Sequence, residues 1–481
     1  MQPTSGQILH SIRRTIRDRL GPVIAASDEA AVIAALDVAL SELIARESRD
    51  VGAQEASRAR LIERGRIVLG GGDDAAAPPA ARLQAMIVEA QRRMAGETDA
   101  DRRSAISAWT TDVVQWQYST GITAEEQAGA EAGAVEDAPI DQEVLASAIS
   151  RHLASGAAVS INGMSKLSGG YSRDTFLADW SADGMSGELV IRRQKAQGML
   201  DGAGIGLDGE FPLLQFAHQA GLPMPQAYWT ERLKGAGGPY IVMEKSPGGV
   251  IGTAIDASSV SDEAIRAVAT TVAHLHQVDW RAAKSDIAGI FGLKSDGLTI
   301  RMATQGLLDR WEKVWAERNL DPSPALAAAF QWLRQNVPER DGVPCLLHGD
   351  IGFHNILFDG DRIAALLDWE MAYLGDPAKD MAACEAFISR YGRWDDFVRC
   401  YRQAGGPPID EAAQQYYHVL RVFTHLLVGE MGWQTCFADL DTPPIEAMFL
   451  GGPIRMHFFA DYLNYLPLIS GATRITQAEP C

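Results

Sequence analysis

The stretch LLHGDIGFHNILFDGDRIAALLDWEMAYLGDP, residues 346 to 377, decides the fold class and the chemistry predicted for this chain. Two short apolar segments, ILF and RIAALL, flank the sequence DGD at 359 to 361, which is typical of a β-hairpin turn. Asp350 precedes the first segment, Asn355 begins it, and Asp368 follows the second. The pattern predicts a carboxylate on a loop, an amide where a strand starts and a second carboxylate where the paired strand ends.

These three side chains have the properties that phosphoryl transfer requires. A carboxylate must orient an acceptor hydroxyl and take its proton, and oxygen ligands must hold Mg²⁺ against nucleotide phosphates. Asp350 suits the first role, while Asn355 and Asp368 suit the second. The Asp-to-Asn spacing equals that of the protein-kinase loop H-R-D-x-x-x-x-N, with Gly349 in place of the arginine. The alternative is a hairpin whose polar residues only close turns, and several coinciding spaced matches argue against it.

Polar residues beside this set are assigned mainly supporting roles. His348 belongs to the predicted catalytic group, and we interpret it as bracing the loop rather than carrying a proton, because Asp350 already fills that role. Asp376 and Asp380 are expected to cap a helix and to brace the same loop.

The order of LDWE, LGDP and Asp380 gives the chain a family resemblance. It resembles the aminoglycoside phosphotransferase-like kinases, which are related in fold to protein kinases and choline kinases. It is especially similar to the phosphotransferases associated with acyl-CoA dehydrogenases, over roughly residues 140 to 470. The resemblance implies an α+β, bilobal protein-kinase-like fold, with a small antiparallel-sheet N-lobe and a mainly helical C-lobe. It also implies ATP and Mg²⁺ as cofactors.

A glycine pair between two predicted strands is a candidate phosphate-binding loop. In LSGGYSRDTFL, residues 167 to 177, Gly169 and Gly170 let the backbone approach phosphates, and Ser172 follows them. An ordinary hairpin turn is the alternative. The family pattern often has Asn soon after the serine, whereas Arg173 follows here.

The next strand is expected to supply a cation to the nucleotide phosphates. In VIRR, Arg192 stands where the family usually has lysine, and arginine can bind phosphate through two hydrogen bonds. Lys195 is the fallback, and a solvent-facing arginine on an edge strand is the alternative. Glu210 matches the family's glutamate partner for that cation, unless it is only an exposed residue of a first helical turn.

The segment PYIVMEKSPGG, residues 239 to 249, resembles the strand and hinge that join the two lobes. The resemblance implies that backbone groups near Glu244, Lys245 and Ser246 meet the adenine base.

A change of pattern along the chain indicates separate domains. Residues 1 to about 115 look all-helical, with Ile8, Ile12, Ile16 and Leu20 recurring every four residues. An acidic stretch of small residues follows, with the composition of a flexible linker. We predict an all-helical accessory domain over 1–117, a linker over 118–139, a kinase N-lobe over 140–250 and a C-lobe over 251–475.

Composition excludes several classes of partner. The 481 residues carry a formal net charge of -19, which argues against nucleic-acid binding. No apolar run is long enough to span a bilayer, and the N-terminus does not resemble a signal peptide.

The five cysteines have no C-x-x-C spacing and are expected to be free thiols, so we predict a cytoplasmic protein. Its helical N-terminal region could bind a partner protein or self-associate.

The phosphate acceptor stays open at this level. An acidic groove would suit a cationic aminoglycoside or amino alcohol, and a more apolar groove would suit a hydroxyacyl chain. The family resemblance favours a hydroxyacyl-CoA or a related small hydroxylated metabolite. An antibiotic kinase and a non-catalytic binding module are the alternatives.

Overall fold

The computed structural model describes only part of the chain. Described are Arg13 and residues 51–71, 74, 76–120, 140–167, 172–195, 198, 200–232, 239–251, 260–318, 320–437, 455–473 and 475. Outside them lie the apolar stripe predicted over residues 8–20, the glycine pair Gly169 and Gly170, and the predicted linker from residue 121 onward.

The described helices run along most of the chain. In chain order they are α1 (Val51–Leu69), α2 (Pro79–Gly96), α3 (Ala100–Thr120), α4 (Gln142–His152), α5 (Leu207–Gln219), α6 (Asp262–Gln277), α7 (Ile287–Ile290), α8 (Ile300–Arg318), α9 (Pro324–Gln335), α10 (Ala378–Ile388), α11 (Trp394–Gln403), α12 (Glu411–Phe437), α13 (Arg455–Leu463) and α14 (Leu466–Ile469). Short 3-10 turns cover Trp280–Ala282, Phe353–Asn355, Trp369–Met371 and Ser389–Tyr391.

The described strands form one five-stranded sheet and two two-stranded sheets. They are β1 (Ser160–Leu167), β2 (Arg173–Ala182), β3 (Met185–Gln194), β4 (Ala227–Arg232), β5 (Pro239–Glu244), β6 (Cys345–Leu347), β7 (Ile356–Asp359), β8 (Arg362–Leu366) and β9 (Tyr373–Gly375). The large sheet has the order β1-β2-β3-β5-β4 with every pair antiparallel, while β6 pairs with β9 and β7 with β8.

Local sequence explains most of this sheet. Asp183 and Gly184 both have positive φ, which matches the right-handed twist of a tight β2–β3 hairpin. Strand β4 is the one the pattern did not predict, because Pro223 and Pro225 directly before it make the segment look like a loop. The predicted small antiparallel sheet with one inserted helix, α5, is confirmed.

Alternation along β3 decides which side chains face the core. Leu189 and Ile191 join a hydrophobic core with α4, whereas Arg192 between Ile191 and Arg193 points to the opposite face of the sheet. Arg192 is therefore presented on the side of the sheet that α5 covers.

The described chain divides into two compact units. The first comprises Met1–Ala134, Trp315–Asn336 and Val419–Cys481, and the second comprises Val135–Val314 and Val337–His418. The domain boundaries predicted from the sequence stay a prediction.

The first unit is helical in its described part. Trp109 on α3 is fully buried and donates its indole N–H to the carbonyl of Leu61 on α1, 2.8 Å away. Gln117 on α3 donates to Ser323 and accepts the N–H of Ala325, so it holds the start of α9. Helices from the N-terminal region thus pack with later helices of the same unit. Within the described residues, no helix has both the length and the apolar character needed to cross a membrane.

The second unit contains the five-stranded sheet, both strand pairs and every described candidate site residue. After β5 the chain forms a β-bridge between Gly249 and Phe358, with backbone hydrogen bonds of 3.0 and 2.9 Å. Gly248 has φ +88, and a Cβ there would collide with the carbonyl of Phe358. This close approach requires glycine and joins the segment after the sheet to the β7–β8 hairpin.

Candidate active site

Residues 348–355, here called the Asp350 loop, connect β6 to β7 and are anchored by one buried carboxylate. Asp380 in the first turn of α10 accepts the N–H of His348 at 2.8 Å and the N–H of Gly349 at 3.0 Å. Burial alone would raise the pKa of Asp380, but the hydrogen bond and charge of His276 and nearby cations hold it at about 2. The ionised carboxylate therefore fixes the start of the loop, as expected from the sequence.

Gly349 occupies a position that only glycine can fill. Its φ is +84, and an added Cβ would collide with the carbonyl oxygen of Met371. This explains why the arginine of the protein-kinase pattern is absent here. It also shows that the Asp350 loop packs directly against residues 367–371, here called the Asp368 loop.

Asn355 brings the three predicted phosphotransfer residues together. Its Nδ2 donates to the backbone carbonyl of Asp350 and to Oδ2 of the same residue, both at 2.9 Å. Its own carbonyl accepts the N–H of Leu367 at 2.8 Å, which places Asn355 beside the residue that precedes Asp368. Since Nδ2 is engaged with Asp350, the side-chain oxygen of Asn355 is the atom suited to another ligand.

His348 is fully buried and braces both loops. Its Nε2–H donates to the carbonyl of Leu367 at 2.8 Å, and its Nδ1 accepts the N–H of Asp350 at 3.3 Å. Burial lowers the pKa of His348, which fits the neutral imidazole that these two bonds require. This geometry matches the bracing role expected for it.

The Asp368 loop turns sharply at its aspartate. Asp368 has φ 63 and ψ 65, in the left-handed region that Asp tolerates better than most residues. The carbonyl of Glu370 accepts the N–H of Ile205 at 2.8 Å, so this loop is tied to the segment before α5. Gly204 in that segment leaves room for the contact, because its Cβ would lie 2.9 Å from the same carbonyl oxygen.

Arg192 links three elements around the Asp368 loop. Its guanidinium donates to Glu210 on α5 at 2.6 Å and to Asp368 at 2.7 Å. Glu210 is completely buried, and burial raises its pKa while Arg192 opposes the rise. The structure therefore brings together the predicted cation and its predicted glutamate partner, and it adds Asp368 to the pair.

Oppositely charged side chains meet in this cluster. The guanidinium groups of Arg173 and Arg192 face three carboxylates, those of Glu210, Asp368 and Glu370. Burial and the neighbouring charge of Asp368 raise the pKa of Glu370 to about 8. Its Oε2 lies 3.6 Å from Arg173 and makes no hydrogen bond within the described residues.

The donor set fits Mg²⁺ bound together with phosphate. No group of three or more His, Cys, Asp or Glu side chains in the described part of the chain forms a ready metal site. Mg²⁺ at nucleotide sites commonly takes one or two carboxylates, with phosphate oxygens and water completing its shell. The oxygens of Asn355 and Asp368 supply that kind of partial set.

The other predicted phosphate ligands are only partly described. Ser172 is buried directly before β2, and the glycine pair ahead of it lies outside the described residues. Lys195 lies 3.9 Å from Asp174 and not in the Arg192 cluster. Arg192 is thus the basic residue that the described structure places beside Asp368.

The two predicted hinge residues lie at the end of β5: Glu244 is its last residue, and Lys245 directly follows it. The backbone N–H of Glu244 donates to Gln226 at 2.9 Å, and the side chain of Lys245 pairs with Glu188. The N–H of Glu244 is therefore already engaged with the segment before β4.

Three residues that the sequence pattern did not assign also lie at these loops. The imidazole of His354 lies 3.7 Å from Asp350, and Lys379 donates to the carbonyl of Gly349 at 3.2 Å. Arg173 donates to the carbonyl of Ile205 at 2.8 Å. The i, i+4 spacing of His354 and Asp350 was the available signal for the first, whereas the other contacts depend on tertiary packing.

A cavity of about 820 Å³ lies between α10, α11 and the start of α12. Its lining includes Met381, Glu385, Trp394 and His418, and no predicted site residue. The Asp350 cluster, not this cavity, is therefore the candidate active site.

Comparison with known proteins assigns the family. The family model described as "Phosphotransferase enzyme family" matches residues 163–423, more than half of the chain. The chain belongs to this family. The matched range contains the Asp350 loop, the Asp368 loop and Arg192, so the phosphotransferase assignment covers the candidate site.

Two curated relatives from Mus musculus are named for acyl-CoA dehydrogenases. Acyl-CoA dehydrogenase family member 11 is 30% identical over 207 residues, which covers 42% of this phosphotransferase and 25% of that protein. Acyl-CoA dehydrogenase family member 10 is 28% identical over 208 residues, covering 42% of this chain and 18% of the relative. The chain therefore spans a quarter or less of these relatives.

A solved structure shows the fold of the phosphotransferase. A protein from Ralstonia eutropha, provisionally named an aminoglycoside phosphotransferase, matches with a TM-score of 0.51 and 20% identity. The match covers 68% of this chain and 98% of that protein. The predicted kinase-like fold class, an antiparallel sheet with mostly helical surroundings preceded by a helical region, is confirmed.

Proposed function

We propose that this phosphotransferase transfers the γ-phosphoryl group of ATP to a hydroxyl group of a small molecule. The observation that carries the proposal is the convergence of Asp350, Asn355 and Asp368, with Arg192 bonded to Asp368. A β-hairpin whose polar residues only close turns would not require these groups to lie together. Phosphoryl transfer, by contrast, depends on positioned carboxylates, oxygen ligands and a cation.

Asp350 is proposed to be the base. Its side chain is 40% exposed, so a substrate hydroxyl can reach it, and Asn355 fixes its orientation through the 2.9 Å hydrogen bond. Asp350 takes the proton of the acceptor hydroxyl while that oxygen forms its bond to the γ-phosphorus. The bond from this phosphorus to the bridging oxygen breaks, and ADP retains that oxygen with its electron pair.

Asn355 and Asp368 are proposed to hold Mg²⁺ through their side-chain oxygens. When bound, Mg²⁺ supplies charge neutralisation at the β and γ phosphates. Arg192 is proposed to bind the nucleotide phosphates, and Glu210 retains it in place through the buried ion pair. His348 positions both loops and does not carry a proton in this proposal, because its two ring nitrogens are already engaged.

A hydroxyacyl-CoA or a related hydroxylated metabolite is proposed as the acceptor. The basic side chains of His354 and Lys379 lie beside Asp350 or its loop, which suits a neutral or anionic acceptor better than a polycation. Phe353 packs against Phe387 at 4.9 Å and Tyr391 at 6.1 Å between ring centres, giving an apolar wall next to the loop. The names of the relatives point to acyl-CoA chemistry as well.

A turnover panel tests the proposal. The purified chain should convert MgATP to ADP when supplied with hydroxyacyl-CoAs, and the acceptor should gain the mass of one phosphoryl group. Amino alcohols, aminoglycosides and macrolides serve as the comparison acceptors. Turnover stimulated only by antibiotics would replace the proposed acceptor, and MgATP binding without transfer to any acceptor would favour a non-catalytic binding module.

A further inference from the structure

His354 lies in the 3-10 turn Phe353–Asn355, one helical turn after Asp350. Its imidazole folds back over Gly352, where an added Cβ would lie 2.7 Å from the ring atoms Cε1 and Nδ1. Glycine at position 352 therefore creates the space that this ring orientation needs. The ring is held toward Asp350 by the shape of the loop.

The distance between the two side chains suggests a shared ligand. Nε2 of His354 lies 3.7 Å from Oδ2 of Asp350, which is too long for a direct hydrogen bond of normal length. A single oxygen atom can nevertheless lie about 2.8 Å from both atoms. Both side chains are partly exposed, 30% for His354 and 40% for Asp350, so a substrate atom can reach the gap.

We propose that His354 is a further catalytic residue that holds the acceptor hydroxyl, an inference that rests on the proposed kinase function. Nε2–H of His354 donates to the hydroxyl oxygen while that hydroxyl donates its proton to Oδ2 of Asp350. An alcohol oxygen has two lone pairs, so one accepts from His354 and the other forms the bond to the γ-phosphorus. The proton passes to Asp350, and the bond between the γ-phosphorus and the ADP oxygen breaks.

The two contacts would restrict the hydroxyl more strongly than Asp350 alone. A carboxylate fixes the direction of the O–H bond. A second contact to the oxygen also fixes the rotation of the hydroxyl group about that bond, and so the direction of the lone pair that forms the bond to the γ-phosphorus. Such orientation contributes to rate because the reacting atoms must be aligned in the bound complex. His354 therefore acts on the acceptor side of the site, and Arg192 and Asp368 act on the nucleotide side.

Substitutions at position 354 test the inference in the full chain. His354→Leu should lower kcat/KM for the acceptor about 10- to 100-fold, because one hydrogen bond to the reacting oxygen is lost. Its MgATP affinity, measured by calorimetry, should stay within twofold of wild type. His354→Gln, whose amide can donate from a similar position, should recover most of the activity.

His274→Leu is the matched control, because His274 is exposed on α6 and lies outside the described site. It should behave as wild type in every assay. An unchanged acceptor kcat/KM in His354→Leu would overturn the inference, as would a His354→Gln variant as slow as His354→Leu. An equal loss of MgATP affinity would also overturn it, by placing the contact on the nucleotide side. Failure of wild type to phosphorylate any acceptor would instead reject the proposed function itself.

Discussion

The Asp350 loop and the Asp368 loop each present one partly exposed aspartate, 40% and 37% exposed, yet they are held in different ways. The first is fixed by Asp380, which accepts two backbone N–H groups from the loop. The second is tied to the small sheet and α5 through Arg192 and through the backbone bond from Ile205.

This difference separates the two proposed tasks physically. The proposed base must keep its geometry whether or not nucleotide is present, and the ionised Asp380 fixes the Asp350 loop in both cases. The carboxylate of Asp368, the proposed metal ligand, is bonded to Arg192, which is proposed to bind the phosphates as well. We therefore expect changes around Asp350 to affect chemistry and changes around Asp368 to affect nucleotide binding.

The largest expected effect comes from Asp350→Asn. The variant keeps the size of the side chain and removes the base, so kcat should fall by about 10² to 10⁴-fold. Affinity for MgATP, measured by calorimetry, should stay near wild type, because Asp350 is not assigned to the metal. Asp359→Asn is the control, because Asp359 is an exposed aspartate at the turn of the β7–β8 hairpin. A normal rate in Asp350→Asn would remove Asp350 from its proposed role.

The anchor is tested by Asp380→Ala. The substitution leaves the N–H groups of His348 and Gly349 without their buried acceptor and removes a buried charge, so unfolding should become easier by about 3–5 kcal/mol. Urea unfolding of wild type and variant measures this difference. Similar stabilities would show that the Asp350 loop does not depend on this carboxylate.

The stability difference between wild type and Asp380→Ala should also depend on pH, with a sign that follows from the pKa of Asp380. The folded pKa of Asp380, about 2, is below its ordinary value of 3.8, so ionised Asp380 contributes its full stabilisation above that ordinary value. The contribution is lost as the pH falls from about 4 toward 2. The stability difference between wild type and Asp380→Ala should therefore shrink over this window.

Asp368→Ala should show the smaller, nucleotide-side effect. Removing one proposed Mg²⁺ ligand should abolish the Mg²⁺ dependence of ATP binding. The loss in MgATP affinity should be at least about 10-fold, since changes to the partners of metal ligands already cost that much. Titration of ATP with and without Mg²⁺ measures the dependence, and Asp359→Ala is the control. Wild-type MgATP affinity in Asp368→Ala would place the metal elsewhere and weaken the contrast between the two loops.

Sequence reasoning recovered most of the local structure in the described range. The β2–β3 and β7–β8 hairpins were predictable because turn residues and alternating apolar residues act over a few positions. Strand β4 was not predicted, because the prolines before it suggest a loop and because it is a strand only through its pairing with β5. The pairing of Arg192 with Glu210 was anticipated through the family resemblance, not from local pattern.

By itself, the sequence determined the residue types and spacings on which the chemistry depends: an aspartate, an asparagine five residues later and an aspartate after the paired strand. Only the tertiary structure decided that Gly349 must pass the carbonyl of Met371, and that His354 turns back over Gly352 toward Asp350. The physical reason is the distance along the chain over which each interaction acts. Turn and strand preferences act between near neighbours, whereas steric fit and buried charge pairing depend on groups that the folded chain brings together from distant positions.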